Sequence, residues 1–279
     1  MARTTKRAIL VAPLAALFAG SALAQGETGF LRGAGHLDTV LSFSKDAYNK
    51  FWLGTDKVHD PGVGRVTRST YNLYAAYGLT DDVDLSLNAP WVVSNVTGAG
   101  EFDRESDFQD LGLQAKWKVG SARLGPGEAS FLVAPGLKIP LGDYESDNVS
   151  AIGDGQTDYR GRVIAHYGLD SGAFVSLETG YDRRAGLPKD ETPWNVTLGT
   201  TVLNQVTLTT FYSAVRSYGG PNIGGGPFPE TQEEFDRVGI GSYVRLTDRF
   251  GIAGYWRTTV DGRNTGDVDG FAVGLVVKY

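Results

Sequence analysis

The chain has 279 residues, with 26 Lys and Arg against 32 Asp and Glu for a formal net charge of −6. That acidic balance, with no basic stripe, argues against a nucleic-acid partner, and the absence of cysteine rules out disulfides. The 38 Gly, 13 Tyr and 13 Phe favour strands and turns over helices.

Residues 1–24 read as a secretory signal peptide and residues 25–279 as the exported domain. Arg3, Lys6 and Arg7 form a positive start, Ala8 to Gly20 an apolar run, and Ala22-Leu23-Ala24 a small-residue cleavage site before Gln25. The apolar run is too short to span a bilayer, and no later stretch approaches the roughly 18 apolar residues that a spanning helix needs.

Gln25 to Gly35 is expected to be a short polar lead. About twelve strands follow, near 36–44, 66–79, 83–94, 108–119, 129–139, 157–168, 173–184, 193–203, 206–217, 235–246, 250–261 and 269–279. The third shows the pattern plainly. Val83, Leu85, Leu87, Ala89 and Trp91 share one face, and Asp84, Ser86 and Asn88 the other. A period of two means a strand with one apolar and one polar face. Behind a signal peptide, an even number of such strands predicts an all-β fold, a transmembrane antiparallel up-and-down β-barrel in the bacterial outer membrane.

Connection lengths alternate. Tight turns are expected at Thr80 to Asp82, Leu169 to Gly172, Leu203 to Gln205 and Thr247 to Arg249, with a longer one, Gly120 to Glu128, in the same phase. The links between them are longer: Lys45 to Arg65, Asn95 to Asp107, Pro140 to Gln156, Ala185 to Thr192, Tyr218 to Glu234 and Gly262 to Val268. Short periplasmic turns and longer extracellular loops are the asymmetry of such barrels. Two turns echo each other, Leu79-Thr80-Asp81 and Leu246-Thr247-Asp248.

Aromatics at the lipid-facing parity fall into two girdles. Trp91, Tyr159, Tyr181, Trp194, Tyr212 and Trp256 stand at the outer ends, and Tyr77, Trp117, Tyr167 and Tyr279 at the inner ends. Pro90 and Pro135 each remove a ladder donor, so a bulge or strand end is expected at both. The last strand alternates Phe271, Val273, Leu275 and Val277 with small residues and ends on Tyr279, an ending that resembles the signal read by the barrel-assembly machinery.

The inward parity is charged. The sixth strand points Asp158, Arg160, Arg162 and His166 inward, and the seventh Ser176, Glu178, Asp182 and Arg184. Folding their hairpin brings Arg162 near Glu178 and Arg160 near Asp182. In the tenth and eleventh strands, Gly241 should face Tyr255 and Gly239 should face Arg257, each glycine making room for a large side chain. Lys138, Arg237, Arg245 and Arg257 are expected as a basic patch on the lumen wall, suited to an anionic or aromatic-acid solute. These eleven residues (Lys138, Arg160, Arg162, His166, Glu178, Asp182, Arg184, Arg237, Arg245, Tyr255 and Arg257) are the candidate solute path.

No metalloprotease, nucleophile-elbow or phosphate-loop pattern occurs, so no catalytic residue and no cofactor are expected. Asp143, Glu145, Asp147, Asp154 and Asp158 crowd one outer loop but lack the spacing of a calcium loop, and no metal is assigned.

Four segments resemble the outer-membrane proteins of the phenol-degradation meta-pathway family. They are Tyr77 to Leu85, Gln109 to Trp117, Gly136 to Gly142 and Gly153 to Asp158. The resemblance implies a barrel that takes up aromatic or hydrophobic compounds, with no catalytic residue to carry over. The expected protein is therefore a monomeric outer-membrane channel for small solutes, aromatic or hydrophobic ones among them, with outer-membrane lipids and the assembly machinery as its other partners. The alternative is a plugged structural or binding barrel acting through its outer loops.

Overall fold

The computed structural model describes residues 26–98 and 104–279; the expected signal peptide, residues 1–24, lies outside the described residues. In chain order the strands are β1 (Leu37–Tyr48), β2 (Lys50–Leu53), β3 (Asp56–His59), β4 (Arg65–Gly78), β5 (Val83–Thr97), β6 (Arg104–Phe108), β7 (Asp110–Leu124) and β8 (Gly127–Pro140). Then come β9 (Asp158–Leu169), β10 (Ala173–Arg184), β11 (Glu191–Val202), β12 (Val206–Ser217), β13 (Glu234–Arg245), β14 (Phe250–Arg263) and β15 (Asp269–Lys278).

Each wall strand pairs antiparallel with its neighbours, and β1 pairs with both β4 and β15, which closes the sheet. β6 and β7 together line β5 and are broken only at Gln109, while β2 and β3 form a separate hairpin. The wall is therefore a closed twelve-stranded antiparallel barrel, as expected from the sequence. Closure leaves no strand edge, so the wall's backbone groups are satisfied within the sheet, as a bilayer requires.

Side chains obey the predicted parity. Along β5, Leu85 and Leu87 are exposed on the outer wall while Asp84, Val92, Ser94 and Val96 are buried inside. Outer-girdle rings Tyr159, Tyr181, Trp194 and Trp256 are exposed, as are Tyr77, Trp117 and Tyr279 at the inner end. An apolar wall between aromatic girdles is the surface that a bilayer solvates, and it places the chain in the outer membrane. The buried core lies inside the barrel, where Val40, Tyr74, Phe211, Tyr243, Tyr255 and Val276 pack together.

The echoing turns are built alike. Leu79 and Thr80 N–H both donate to the Val83 carbonyl, and Leu246 and Thr247 N–H to that of Phe250. In each, the threonine hydroxyl accepts a backbone N–H two residues on. The β11–β12 turn holds Leu203 and Asn204 at φ 54° and 55°, the two left-handed positions of a type I′ turn.

Three expectations need correcting. The turn at Gly120 to Glu128 is shorter than expected, because β7 and β8 stay paired until Leu124↔Gly127. These residues are mostly solvent-exposed, and a ladder outside the lipid band needs no apolar alternation. The Lys45 to Arg65 link holds the β2–β3 hairpin, which a link of mixed composition did not announce. The lead up to Gly35, expected to be polar, runs inside the barrel and packs Phe30 there, and its course is described below.

Both prolines mark ladder defects. Opposite Pro90, the wall strand breaks at Gln109, whose N–H donates to the Pro90 carbonyl at 2.9 Å. At Pro135 the β7–β8 ladder runs from Gln114↔Gly136 to Trp117↔Val133 with no pair formed between. A missing donor inside a closed wall produces that gap.

Candidate functional site

Residues 26–35 enter the barrel from its periplasmic rim and fill part of the lumen. Gly35 N–H donates to the Gly78 carbonyl at the rim, and Ala34 N–H to Asp81 at 3.0 Å. Further in, the Arg32 guanidinium lies 3.0 Å from Asp38 and 3.6 Å from Asp84, and its backbone N–H donates to Asp84. Phe30 sets its ring edge-on to His166 and Phe174, with centroids 4.6 and 4.9 Å away. Glu27 pairs with Lys116 at 3.2 Å, and its backbone N–H donates to Glu178. A Cβ on Gly29 would collide with the His166 ring, so this segment fits because that position is bare.

Above this segment runs an ionic belt on β9 and β10. Asp182 stands directly opposite Arg160, whereas Arg162 stands opposite Gly180. A Cβ at Gly180 would lie 2.8 Å from Arg162 Cδ, so Arg162 can cross the bare backbone and reach diagonally to two carboxylates. Its Nε is 3.2 Å from Glu178, and its terminal nitrogens hold Asp182 in a two-pronged bond, one prong at 2.7 Å. Arg160 is left with a long 3.9 Å approach to Asp182, and its Nε has no acceptor.

Lys138 is enclosed by three carboxylates, Asp110 at 3.4 Å, Asp154 at 2.9 Å and Asp158 at 2.6 Å. Arg184 binds Asp154 and also meets Asp158 at 3.7 Å and Glu191 at 3.2 Å. Two acids of the crowded outer loop are thus tied to lumen cations. Nearby, the Tyr144 phenol donates to Asp110, and burial, helped by that bond, holds its pKa above the usual tyrosine value.

The expected four-residue basic patch does not form. Lys138 is neutralised as described, and Arg245 donates to the Asn204 carbonyl at the periplasmic end. Eight residues along one strand put it roughly 26 Å from Arg237, at about 3.3 Å per residue. Arg237 and Arg257 do share the outer half of the lumen. Arg257 pairs with Asp46 at 2.6 Å and lies 6.0 Å from the Tyr255 ring. The registers Gly239↔Arg257 and Gly241↔Tyr255 are those expected, but the ring that covers Gly239 is Phe211 from the neighbouring strand.

His166 Nδ1 lies 2.6 Å from Ser176 Oγ. That is nucleophile-to-base distance, but Ser176 is fully buried and Phe30 packs against the imidazole. Among the described residues, no carboxylate is hydrogen-bonded to this histidine to orient it.

Among the described residues, cavities remain in the lumen, two of them along the candidate solute path. One of about 320 Å³ lies between Glu27 and the Arg162 belt and reaches Phe235 and Arg237. The other, of about 300 Å³, lies under the outer loops beside Lys138, Arg184 and, again, Arg237. The sequence reading missed Glu27, Phe30 and Arg32, and also their partners Asp38, Asp84 and Lys116. The three partners carried a usable signal, since each is a charge at the inward parity of its strand.

The family described as "Putative MetA-pathway of phenol degradation" matches residues 60–275. The chain belongs to this family. The COG4313 outer membrane channel from Pseudomonas putida F1 is similar in structure, with a TM-score of 0.74 at 15% identity, covering 91% of this chain and 99% of the channel. The translocator domain of the autotransporter NalP from Neisseria meningitidis is a more distant likeness, with a TM-score of 0.48, 13% identity and 88% of each chain covered. So is the KdgM porin in complex with disordered oligogalacturonate, at 0.48 and 8%, covering 85% of this chain and 98% of the porin. None of the curated proteins matches the chain. The first likeness shows a shared barrel fold.

Proposed function

We propose that this barrel is an outer-membrane channel for small solutes, held closed on its periplasmic side by residues 26–35. The observation that carries this reading is the way the lumen is filled. A peptide segment held by ion pairs, hydrogen bonds and two ring contacts of Phe30 occupies it, and two cavities lie beyond. A wall strand cannot leave a closed sheet, but a segment joined to the wall at one end can. With signal cleavage after Ala24, that segment would be the mature N-terminus. Phenol degradation, the family's description, supports an aromatic cargo, and the charged lining supports solutes that carry a polar or ionised group.

Single-channel recording in planar bilayers tests this. Refolded protein lacking residues 26–32 should show frequent open steps in KCl, and the parent should stay mostly closed. Silence from both would overturn the channel and favour a plugged barrel that works through its outer loops.

A further inference from the structure

We infer that Arg237 is the anchor of a binding site for small organic carboxylates, placed where the two lumen cavities meet. This rests on the reading of the lumen as a solute path.

Charge pairing on the wall of the inner cavity leaves two cations short of acceptors, Arg160, with its long 3.9 Å approach to Asp182, and Arg237; of the two, Arg237 also lines the outer cavity. Glu27 is held by Lys116, Glu178 and Asp182 by Arg162, and Glu191 by Arg184. Among the cations, Arg162 is committed to two carboxylates and Arg257 to Asp46. Among the described residues, Arg237 has no carboxylate within ion-pair distance, and its guanidinium makes a single long hydrogen bond, 3.4 Å from Nε to the Thr259 hydroxyl. The acids whose field reaches it, Glu233 and Asp46, are bonded to Thr265 and Arg257. An arginine offers five N–H donors in a fixed fork, so the terminal four here lack acceptors among the described residues. A cation drawn from bulk water without a counter-ion is costly, and a bound anion offsets that cost.

The local backbone presents this fork. The β13–β14 register shifts between Asp236 and Arg237, so a bulge on β14 separates the Asp236↔Asp261 and Arg237↔Thr259 pairs. Bulges re-aim side chains and recur beside functional sites. The guanidinium carbon sits over the Phe235 ring, 3.7 Å from its centroid. That contact restrains the fork and leaves its edge, which carries the donors, free for a ligand. The same residue lines both cavities. Tyr74, Pro193, Ala214 and Phe235 give the inner cavity apolar surface, and Asn88 and Asn195 give it amides. A cavity of about 320 Å³ is at the lower end of small-ligand sites, which suits a compact body with one carboxylate.

The experiment uses the refolded chain in detergent micelles at low ionic strength. Calorimetric titrations use benzoate, benzyl alcohol and benzylamine. Benzoate should bind saturably at one site, at least tenfold more tightly than either analogue. Arg237→Gln should weaken benzoate at least tenfold, and Arg237→Lys, which keeps the charge but loses the fork, by a smaller factor. No benzoate binding, equal affinity for benzyl alcohol, or unchanged affinity in Arg237→Gln would each overturn the site. Should Arg237→Gln fail to refold, the analogue comparison on the parent and the Arg237→Lys titration decide. Open steps without benzoate binding would refute this site and leave the channel standing. Benzoate binding with silent bilayers would do the reverse.

Discussion

At the scale of single residues, the lumen depends on arginines that reach more than one acid. Arg162 is the clearest case, and its worth depends on Gly180 opposite and on Asp182 receiving both prongs. Removing one partner of a shielded pair leaves a stranded charge, whereas removing both does not. Asp182→Ala should therefore destabilise the barrel more than Arg162→Ala plus Asp182→Ala does relative to Arg162→Ala alone. Urea unfolding in micelles should give a coupling energy of about 1–3 kcal/mol for this pair, and simple additivity would deny it. Outside the membrane, Asp190 accepts hydrogen bonds from the Tyr181 phenol and from the Arg184 N–H at 2.9 Å, which hold its pKa below the ordinary aspartate value. A depressed carboxyl contributes stability above the unfolded-state value and loses it as pH falls through the folded-state value. The small advantage of the parent over Asp190→Asn should thus be present at neutral pH and vanish in acid. Asp190 is only partly buried, so the carboxyl titration followed by NMR is the sharper check.

At the scale of elements, the closing seam and the lumen segment carry the most weight. Tyr279 N–H donates to the Leu37 carbonyl at 2.8 Å and its own carbonyl accepts from Leu37 at 3.2 Å, while its ring projects outward at the inner girdle. It finishes the junction of the first and last strands of the wall. Deleting Tyr279 should lower outer-membrane levels several-fold in cells and shift the urea midpoint of the refolded barrel only slightly. Equal levels of deleted and intact protein would argue against a role in assembly. The lumen segment behaves differently, because its contacts are with side chains of several strands and not with a strand edge. Its removal opens space without unpairing the wall.

At the scale of the whole molecule, the bilayer is the solvent and the lumen is the core. Leu87 sits near the middle of β5 on the outer wall, with about a third of its surface exposed. Leu87→Arg should cost about 2–4 kcal/mol if that position is at the midplane, less towards either interface. Folding into lipid vesicles, followed by the heat-sensitive shift in gel mobility, should show a reduced folded fraction. Folding equal to the parent would move Leu87 off the lipid face.

Barrel, facing and the tight turns were legible in the sequence, and only the β7–β8 turn is shorter than expected. Each is set by near neighbours: side chains alternate with every residue of a strand, and Leu-Thr-Asp closes the same turn wherever it stands. The girdles follow from that parity, and so does the meeting of Arg160 with Asp182 across one hairpin. The contents of the lumen were not legible. Residues 26–35 have no period to betray their place, and their partners are distant, with Arg32 and Asp84 separated by 52 positions and Glu27 and Glu178 by 151. The basic patch failed for a related reason. Parity says that Lys138, Arg237, Arg245 and Arg257 all face inward, but not at what height each stands or which acid reaches it first. Those two quantities follow from the register around the closed ring, which exists only once β15 has found β1. Periodicity determined which side of the wall each residue faces; closure decided which residues meet across the lumen.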